Sequence, residues 1–192
     1  MNLPNKLTIL RILMIPAFVA LYYIAAIPYH FAIAAVVFAL AAFTDFLDGY
    51  IARKYNIVTD LGKFLDPIAD KVLVASALII MLVPVGDVAL LPDYAGIAVA
   101  IILARELVVS GFRMVAASKG MVIAADKSGK IKTFVTDIAI VVLLVAAEFT
   151  GLYGWANIVG LVLLGIATLL TIISGTECIV KNRAVLKDKK EN

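Results

Sequence analysis

The sequence predicts an all-α integral membrane protein: a six-transmembrane-helix bundle with both termini cytoplasmic and a single domain over residues 1–192. Composition is the first reason, because 64% of the residues are hydrophobic and only 16% are charged. Soluble domains are nearer about 25% charged. The mean hydropathy of +1.06 describes a chain of 20.5 kDa that carries more apolar surface than a globule of that size can bury. Lipid is therefore the expected solvent for much of its surface.

Apolar runs of membrane-spanning length are the second reason. They occur at 7–27, 31–50, 65–85, 94–115, 131–149 and 155–179. Each run is long enough to cross a hydrocarbon core of about 30 Å as a helix. The first is too long for the core of a signal peptide and is followed by five more, so it is expected to be retained.

The distribution of cations is the third reason, and it sets the orientation. Lys and Arg occur at both ends of the chain and around the second and fourth connections, whereas the first, third and fifth connections have none. By the positive-inside rule, both termini and connections two and four are cytoplasmic. The net charge of +3 then describes a one-sided basic face toward anionic headgroups or phosphate substrates, and nucleic acid is not an expected partner.

Four carboxylates are the strongest functional signal. Asp45 and Asp48 are three residues apart at the cytoplasmic end of the second span, so they share one helix face. Asp66 and Asp70 are four apart at the cytoplasmic start of the third span. A short connection makes the two helices antiparallel neighbours, and we expect all four carboxylates to face one shared cavity.

Such a cluster predicts a metal site, because each close pair of ionised carboxylates costs on the order of 1–4 kcal/mol. Oxygen-only ligands favour hard cations, and two Mg²⁺ or Mn²⁺ ions would offset four negative charges. The cluster contains no Cys or His, which argues against zinc. The alternative is a set of structural ion pairs with the nearby cations Arg53, Lys54, Lys63 and Lys71.

The segment around these acids resembles the signature of the CDP-alcohol phosphotransferase family. It reads Asp45-Phe-Leu-Asp48-Gly49-Tyr-Ile-Ala52-Arg53, followed after a spacer by Gly62-Lys-Phe-Leu-Asp66-Pro-Ile-Ala-Asp70. The family's six-helix plan covers the whole chain. The resemblance implies an enzyme that transfers a phosphatidyl group from CDP-diacylglycerol to an alcohol, made as a homodimer in a bacterial plasma membrane, multi-pass, with its active site on the cytoplasmic side.

The resemblance also implies roles for individual residues. Asp45, Asp48, Asp66 and Asp70 would hold two metal ions, and Asp70 would also be the base that removes the proton from the attacking hydroxyl. The residues that would bind CDP-diacylglycerol are Gly49, Ala52 and Gly62, which make room for cytidine, and Arg53, which touches the nucleotide phosphate. Asn5 and Thr8 are further candidates for donor binding, although both also suit capping of the first helix.

Three other segments resemble the branch of the family whose acceptor is glycerol 3-phosphate. They are the start of the chain through Arg11, the Ala104-Arg105-Glu106 triplet with Arg113, and the stretch 127–133. A dianionic acceptor phosphate favours a cluster of cations, and Arg113 and Lys130 are the predicted pair. Lys127 and Lys132 are expected to lie against anionic membrane lipids instead. Arg105 and Glu106, inside the fourth span, must pair or face the cavity.

Other readings stay open at this point. Within the family, the acceptor could be an inositol phosphate. A membrane cation transporter also places acids in its helices, but it would distribute them along a path toward mid-depth. A prenyltransferase also holds pyrophosphate through aspartate-bound magnesium, but its motifs lack the Gly-x-x-Ala-Arg segment.

Overall fold

The computed structural model describes residues 3–55, 60–121, 123, 127–149 and 154–186. Within these ranges the chain is helical, and no strand longer than an isolated bridge between Val85 and Val88 occurs. The helices are α1 Leu3–Tyr23, α2 His30–Tyr55, α3 Asp60–Ile80, α4 Ala95–Ser118, α5 Lys127–Phe149 and α6 Trp155–Lys181, with a short 3-10 helix at Arg183–Leu186. The all-α prediction is confirmed.

Three of these helices are long and apolar enough to cross a membrane, judged by length and composition over the described residues. Their spanning segments are Asn5–Tyr23, Ala95–Ser118 and Trp155–Lys181, and His30–Asp45 is a shorter apolar segment. Helix α5 also carries Lys132, Asp137 and Glu148 among its apolar residues.

The helices pack in an order that brings distant parts of the chain together. Helix α1 lies against α2 and α3, α2 also lies against α5, and α6 lies against both α5 and α4. The main core includes Phe18 on α1 and Phe38 on α2, whose ring centroids are 5.7 Å apart. Helices α5 and α6 approach closely at Gly160, where an added Cβ would lie 2.6 Å from Cγ of Leu143.

The outward surfaces of the helices are apolar. Large side chains such as Leu13, Leu107, Phe134 and Leu169 are each more than half exposed. Water would penalise such a surface, whereas a hydrocarbon solvent would not. The distribution of apolar side chains therefore fits a protein that lies in lipid.

Buried stripes along the helices become polar toward one end of the bundle, which we call the charged end. On α1 the buried residues Ile15, Phe18 and Tyr22 give way toward the start of the helix to Asn5, Thr8 and Arg11. On α5 the apolar core residues give way in the same manner to Lys132 and Thr136. Buried polar side chains require partners, so this end of the bundle is where a site can form.

Candidate functional site

The start of α1 presents a polar face to the charged end. Asn5, Thr8 and Arg11 follow one another at intervals of three residues, which places them on one side of the helix. All three are buried, at 8%, 1% and 0% exposure respectively. Lys6 and Leu10, which lie between them in sequence, are exposed, as is Ile12 directly after Arg11. The two candidate donor-binding residues, Asn5 and Thr8, therefore face inward beside Arg11.

Arg11 joins this face to the first aspartate of the motif. Its Nη1 donates a hydrogen bond of 2.6 Å to Oδ1 of Asp45, and its Nε lies 3.4 Å from Oγ1 of Thr44. The Arg11 side chain is fully buried, whereas 42% of the Asp45 side chain is exposed. Asp45 is thus anchored on one side by a buried cation and accessible on the other.

Asp70 lies near the same point from α3. Its carboxyl interacts electrostatically with Asp45 and Arg11, and α1 packs against both α2 and α3. Asp137 on α5 is a further acid in range, and its charge interacts with those of Asp70 and Asp45. Among the described residues, Oδ1 of Asp137 is buried without a hydrogen-bond partner.

A cavity of about 250 Å³ opens beside Asp70 between α3, α4 and α5. Its polar lining consists of Asp70, Lys71, Glu106, Lys132, Thr133 and Thr136. The rest of its lining is apolar and includes Val74, Ile102 and Leu107. A small molecule in this cavity would have both charged groups and Asp70 within reach.

Glu106 forms salt bridges with two cations at the wall of this cavity. Its Oε1 accepts a 2.8 Å hydrogen bond from Nη1 of Arg105 and another from Nζ of Lys132. Arg105 also donates a 2.8 Å hydrogen bond to Oγ of Ser174 on α6. The absence of a side chain at Gly175 accommodates it, since a Cβ there would lie 2.9 Å from Cγ of Arg105. Arg105 and Glu106 are therefore paired, as the cost of charge in a span required.

The expectation that Lys132 lies against membrane lipid was wrong. Lys132 is only 4% exposed and lines the cavity through its pairing with Glu106. The packing of α5 explains the difference, because it buries the helix face that carries Lys132 and Thr136, whereas Lys130 and Phe134 are exposed. The side chain of Lys127 lies outside the described part of the structure.

The two predicted acceptor residues lie outside the lining of this cavity. Arg113 is about two helical turns beyond Glu106 on α4 and is partly buried. No described residue accepts a hydrogen bond from its buried Nε. Lys130 lies in the first turn of α5 and is exposed.

Only part of the predicted metal set can be located. Asp48, Gly49, Ala52, Arg53, Gly62 and Asp66 lie on α2 and α3, but their side chains and surroundings fall outside what the structure describes. Among the described side chains, no three acids, histidines or cysteines form a cluster that could hold a metal. The located pair nevertheless fits a hard cation. Asp45 is accessible, Asp70 lines a cavity, and both offer oxygen atoms.

Arg11 and Asp137 were not among the predicted site residues. Each is a charged side chain inside an apolar run, and that signal was already available, because such charges mark functional positions in membrane helices. Arg11 had been counted as one of the N-terminal cations and as the end of the opening stretch that resembles the glycerol 3-phosphate branch. Their proximity to Asp45 could not be obtained from spacing, because it depends on how α1 and α5 pack against α2.

The fold and this site define a helical membrane protein with acidic and basic side chains gathered at one end of its bundle. The chain belongs to the CDP-alcohol phosphatidyltransferase family, whose model matches residues 1–173. It is accordingly an enzyme that uses a CDP-activated lipid. Members of the family generally use divalent metal ions, which bind through oxygen atoms of the kind that the carboxylates of Asp45 and Asp70 offer.

Several bacterial proteins are similar to the chain over most of their length. A CDP-diacylglycerol–glycerol-3-phosphate 3-phosphatidyltransferase of Rickettsia bellii is 44% identical, covering 91% of each chain. A Bacillus subtilis protein of the same name is 38% identical, covering 97% of each. A probable phosphatidylglycerophosphate synthase of Mycobacterium tuberculosis is 38% identical over 94% of this chain and 81% of its own.

Proposed function

We propose that the protein transfers the phosphatidyl group of CDP-diacylglycerol to glycerol 3-phosphate, giving phosphatidylglycerophosphate and CMP. The observation that carries the proposal is the similarity, at 38–44% identity and nearly full length, to bacterial proteins named for this reaction. The charged end of the bundle is consistent with it, because it gathers carboxylates for metal ions and cations for phosphate. The enzyme would thus be the phosphatidylglycerophosphate synthase of a bacterial phospholipid pathway.

The architecture of the proposal is a single membrane domain over residues 1–192. All six helices would cross the bacterial plasma membrane, with both termini and the active site on the cytoplasmic side and membrane lipids around the apolar surface. Support comes from the apolar runs and from the one-sided distribution of Lys and Arg. The working unit would be a homodimer, as the family resemblance implies.

Asp45, Asp48, Asp66 and Asp70 would hold two Mg²⁺ or Mn²⁺ ions. When bound, the ions would neutralise the pyrophosphate of the donor and help align the acceptor oxygen opposite the leaving group. Asp70 would take the hydroxyl proton as the oxygen of glycerol 3-phosphate bonds to the phosphatidyl phosphorus and the bond from that phosphorus to CMP breaks. The position of Asp70 in the cavity wall supports this role, because an acceptor hydroxyl could reach it there.

Donor and acceptor would occupy separate parts of the charged end. Gly49, Ala52, Arg53 and Gly62 would bind the CDP portion, assisted from α1 by Asn5 and Thr8, which face inward next to Arg11. Arg113 and Lys130 would bind the acceptor phosphate. The buried Nε of Arg113 supports this assignment, since no described residue satisfies it and a phosphate oxygen could.

One assay tests the proposed reaction against its alternatives. Purified protein would be given radiolabelled CDP-diacylglycerol with and without Mg²⁺, and with glycerol 3-phosphate, an inositol phosphate or no acceptor. We expect CMP release only when both metal and glycerol 3-phosphate are present, and a lipid product with the mass of phosphatidylglycerophosphate. Preference for inositol phosphate would contradict the acceptor while sparing the family. Family membership already sets aside the cation transporter.

A further inference from the structure

Arg11 has an unusual environment for an arginine. Its side chain is fully buried, and among the side chains that the structure describes it is the largest one so buried. Its guanidinium stays protonated at any physiological pH, so this is a permanent positive charge removed from water. Burying such a charge is costly unless it is paired, and the 2.6 Å hydrogen bond to Asp45 provides one such pairing.

Arg11 interacts electrostatically with more than one acid. Helix α1 packs on both α2 and α3, the helices that carry Asp45 and Asp70. The charge of Arg11 interacts with both carboxylates. Asp137 on α5 is a third, buried acid whose carboxyl interacts electrostatically with Asp45 and Asp70. Without a nearby cation, acids on three different helices would repel one another.

We propose that Arg11 is a positioning residue: a resident cation supplied by α1 that holds Asp45 in place and keeps the carboxylates together before divalent metal binds. The proposal rests on the proposed function in treating Asp45 and Asp70 as metal ligands. Bound metal would then add positive charge to a site that is already assembled. The repulsion between the acids would then be offset by Arg11 when the protein folds, so metal binding would not have to overcome it.

The shape of the guanidinium favours arginine for this task. Its planar fork can orient a carboxylate while another of its nitrogens reaches a neighbour such as Oγ1 of Thr44. A lysine would keep the charge but would place it at a single point. We therefore expect Arg11→Lys to retain most of the stabilisation, and Arg11→Met to remove it while keeping an unbranched apolar stem.

The first test measures the apparent melting temperature of the full-length protein in detergent, in EDTA and in saturating Mg²⁺. Arg11→Met should melt several degrees lower than the wild type in EDTA. The rise in melting temperature on replacing EDTA with Mg²⁺ should be larger in this variant than in the wild type. Lys6→Met removes one exposed cation from the same helix and should melt like the wild type in both conditions. An equal loss in EDTA and Mg²⁺ would show ordinary packing and overturn the proposal.

The second test adds Asp45→Asn to Arg11→Met. Because the single variant leaves an acid without its counter-charge, removing that charge should raise the melting temperature in EDTA above that of Arg11→Met. A double variant no more stable than the single one would contradict charge compensation. These measurements involve no lipid substrate. A wild type that fails to respond to Mg²⁺ would count against the metal site of the proposed function, and the Asp45→Asn comparison would still decide the role of Arg11.

Discussion

Lys132 on α5 and Arg105 on α4 donate hydrogen bonds to the same carboxylate oxygen of Glu106. The side chains of Lys132 and Glu106 are 5% and 22% exposed, so the pairing is largely shielded from water. Through Ser174, the same group of charges also reaches α6. A single carboxylate thus connects three helices beside the cavity that contains Asp70.

We expect Glu106→Gln to destabilise the protein more than Lys132→Met. The first leaves two neighbouring cations without their counter-charge, a loss on the order of 3 kcal/mol for a buried pair, whereas the second leaves Glu106 still paired with Arg105. Thermal unfolding in detergent measures the effect. The control is Lys130→Met, which removes an exposed cation from α5, the helix that carries Lys132. The reverse order of stabilities would show that Glu106 is not the centre of this group.

The four motif carboxylates should differ in what their loss affects. Asp45→Asn, Asp48→Asn and Asp66→Asn should weaken metal binding and abolish turnover. Asp70→Asn should lower kcat by about 10²–10⁴-fold, the range for removal of a general base, while retaining more affinity for CDP-diacylglycerol. Metal titration, donor binding and turnover at saturating Mg²⁺ separate these effects. Asp87→Asn changes an exposed acid in the connection between α3 and α4 and provides the control. Full activity in any motif variant would remove that residue from the mechanism.

Loss of the acceptor-phosphate cations should affect glycerol 3-phosphate and leave the donor nearly unchanged. A charge-assisted contact contributes roughly 1.5–3 kcal/mol, so Arg113→Ala should lower kcat/KM for the acceptor about tenfold to hundredfold. Lys130→Ala should lower kcat/KM for the acceptor by a factor nearer the lower end of that range, because Lys130 is exposed and water screens its charge. Steady-state kinetics with each substrate varied in turn provides the measurement, and Lys181→Ala, an exposed cation at the end of α6, is the control. An equal effect on both substrates would count against a dedicated phosphate site.

Orientation in the membrane can be tested by cysteine labelling. Asp87 is exposed in a connection that the positive-inside rule places outside the cytoplasm, so Asp87→Cys should react with an impermeant maleimide in intact cells. Cys178, the only native cysteine, is 2% exposed and should give little background. Labelling that fails in intact cells but succeeds in inside-out vesicles would reverse the orientation.

The candidate metal-binding acids could be proposed from sequence because they are close along the chain. The motif from Asp45 to Asp70 has fixed spacing on two consecutive helices, and spacing of three or four residues defines a helix face without knowledge of the fold. The same reasoning placed Arg105 and Glu106 among groups that must be paired. It misjudged Lys132, because both lipid-facing and buried lysines occur near the end of a span, and only the packing of α5 distinguishes them.

The sequence by itself determined the helical class, the family and the positions of the acids, because composition, apolar length and motif spacing are local properties. Tertiary structure alone decided which charges meet. Arg11 and Asp45 are separated by a turn and most of two helices, and Glu106 and Lys132 by a connection between α4 and α5, yet each pair is in contact. The physical reason is that partner choice for a buried charge depends on helix packing and desolvation, and both are set by the whole bundle.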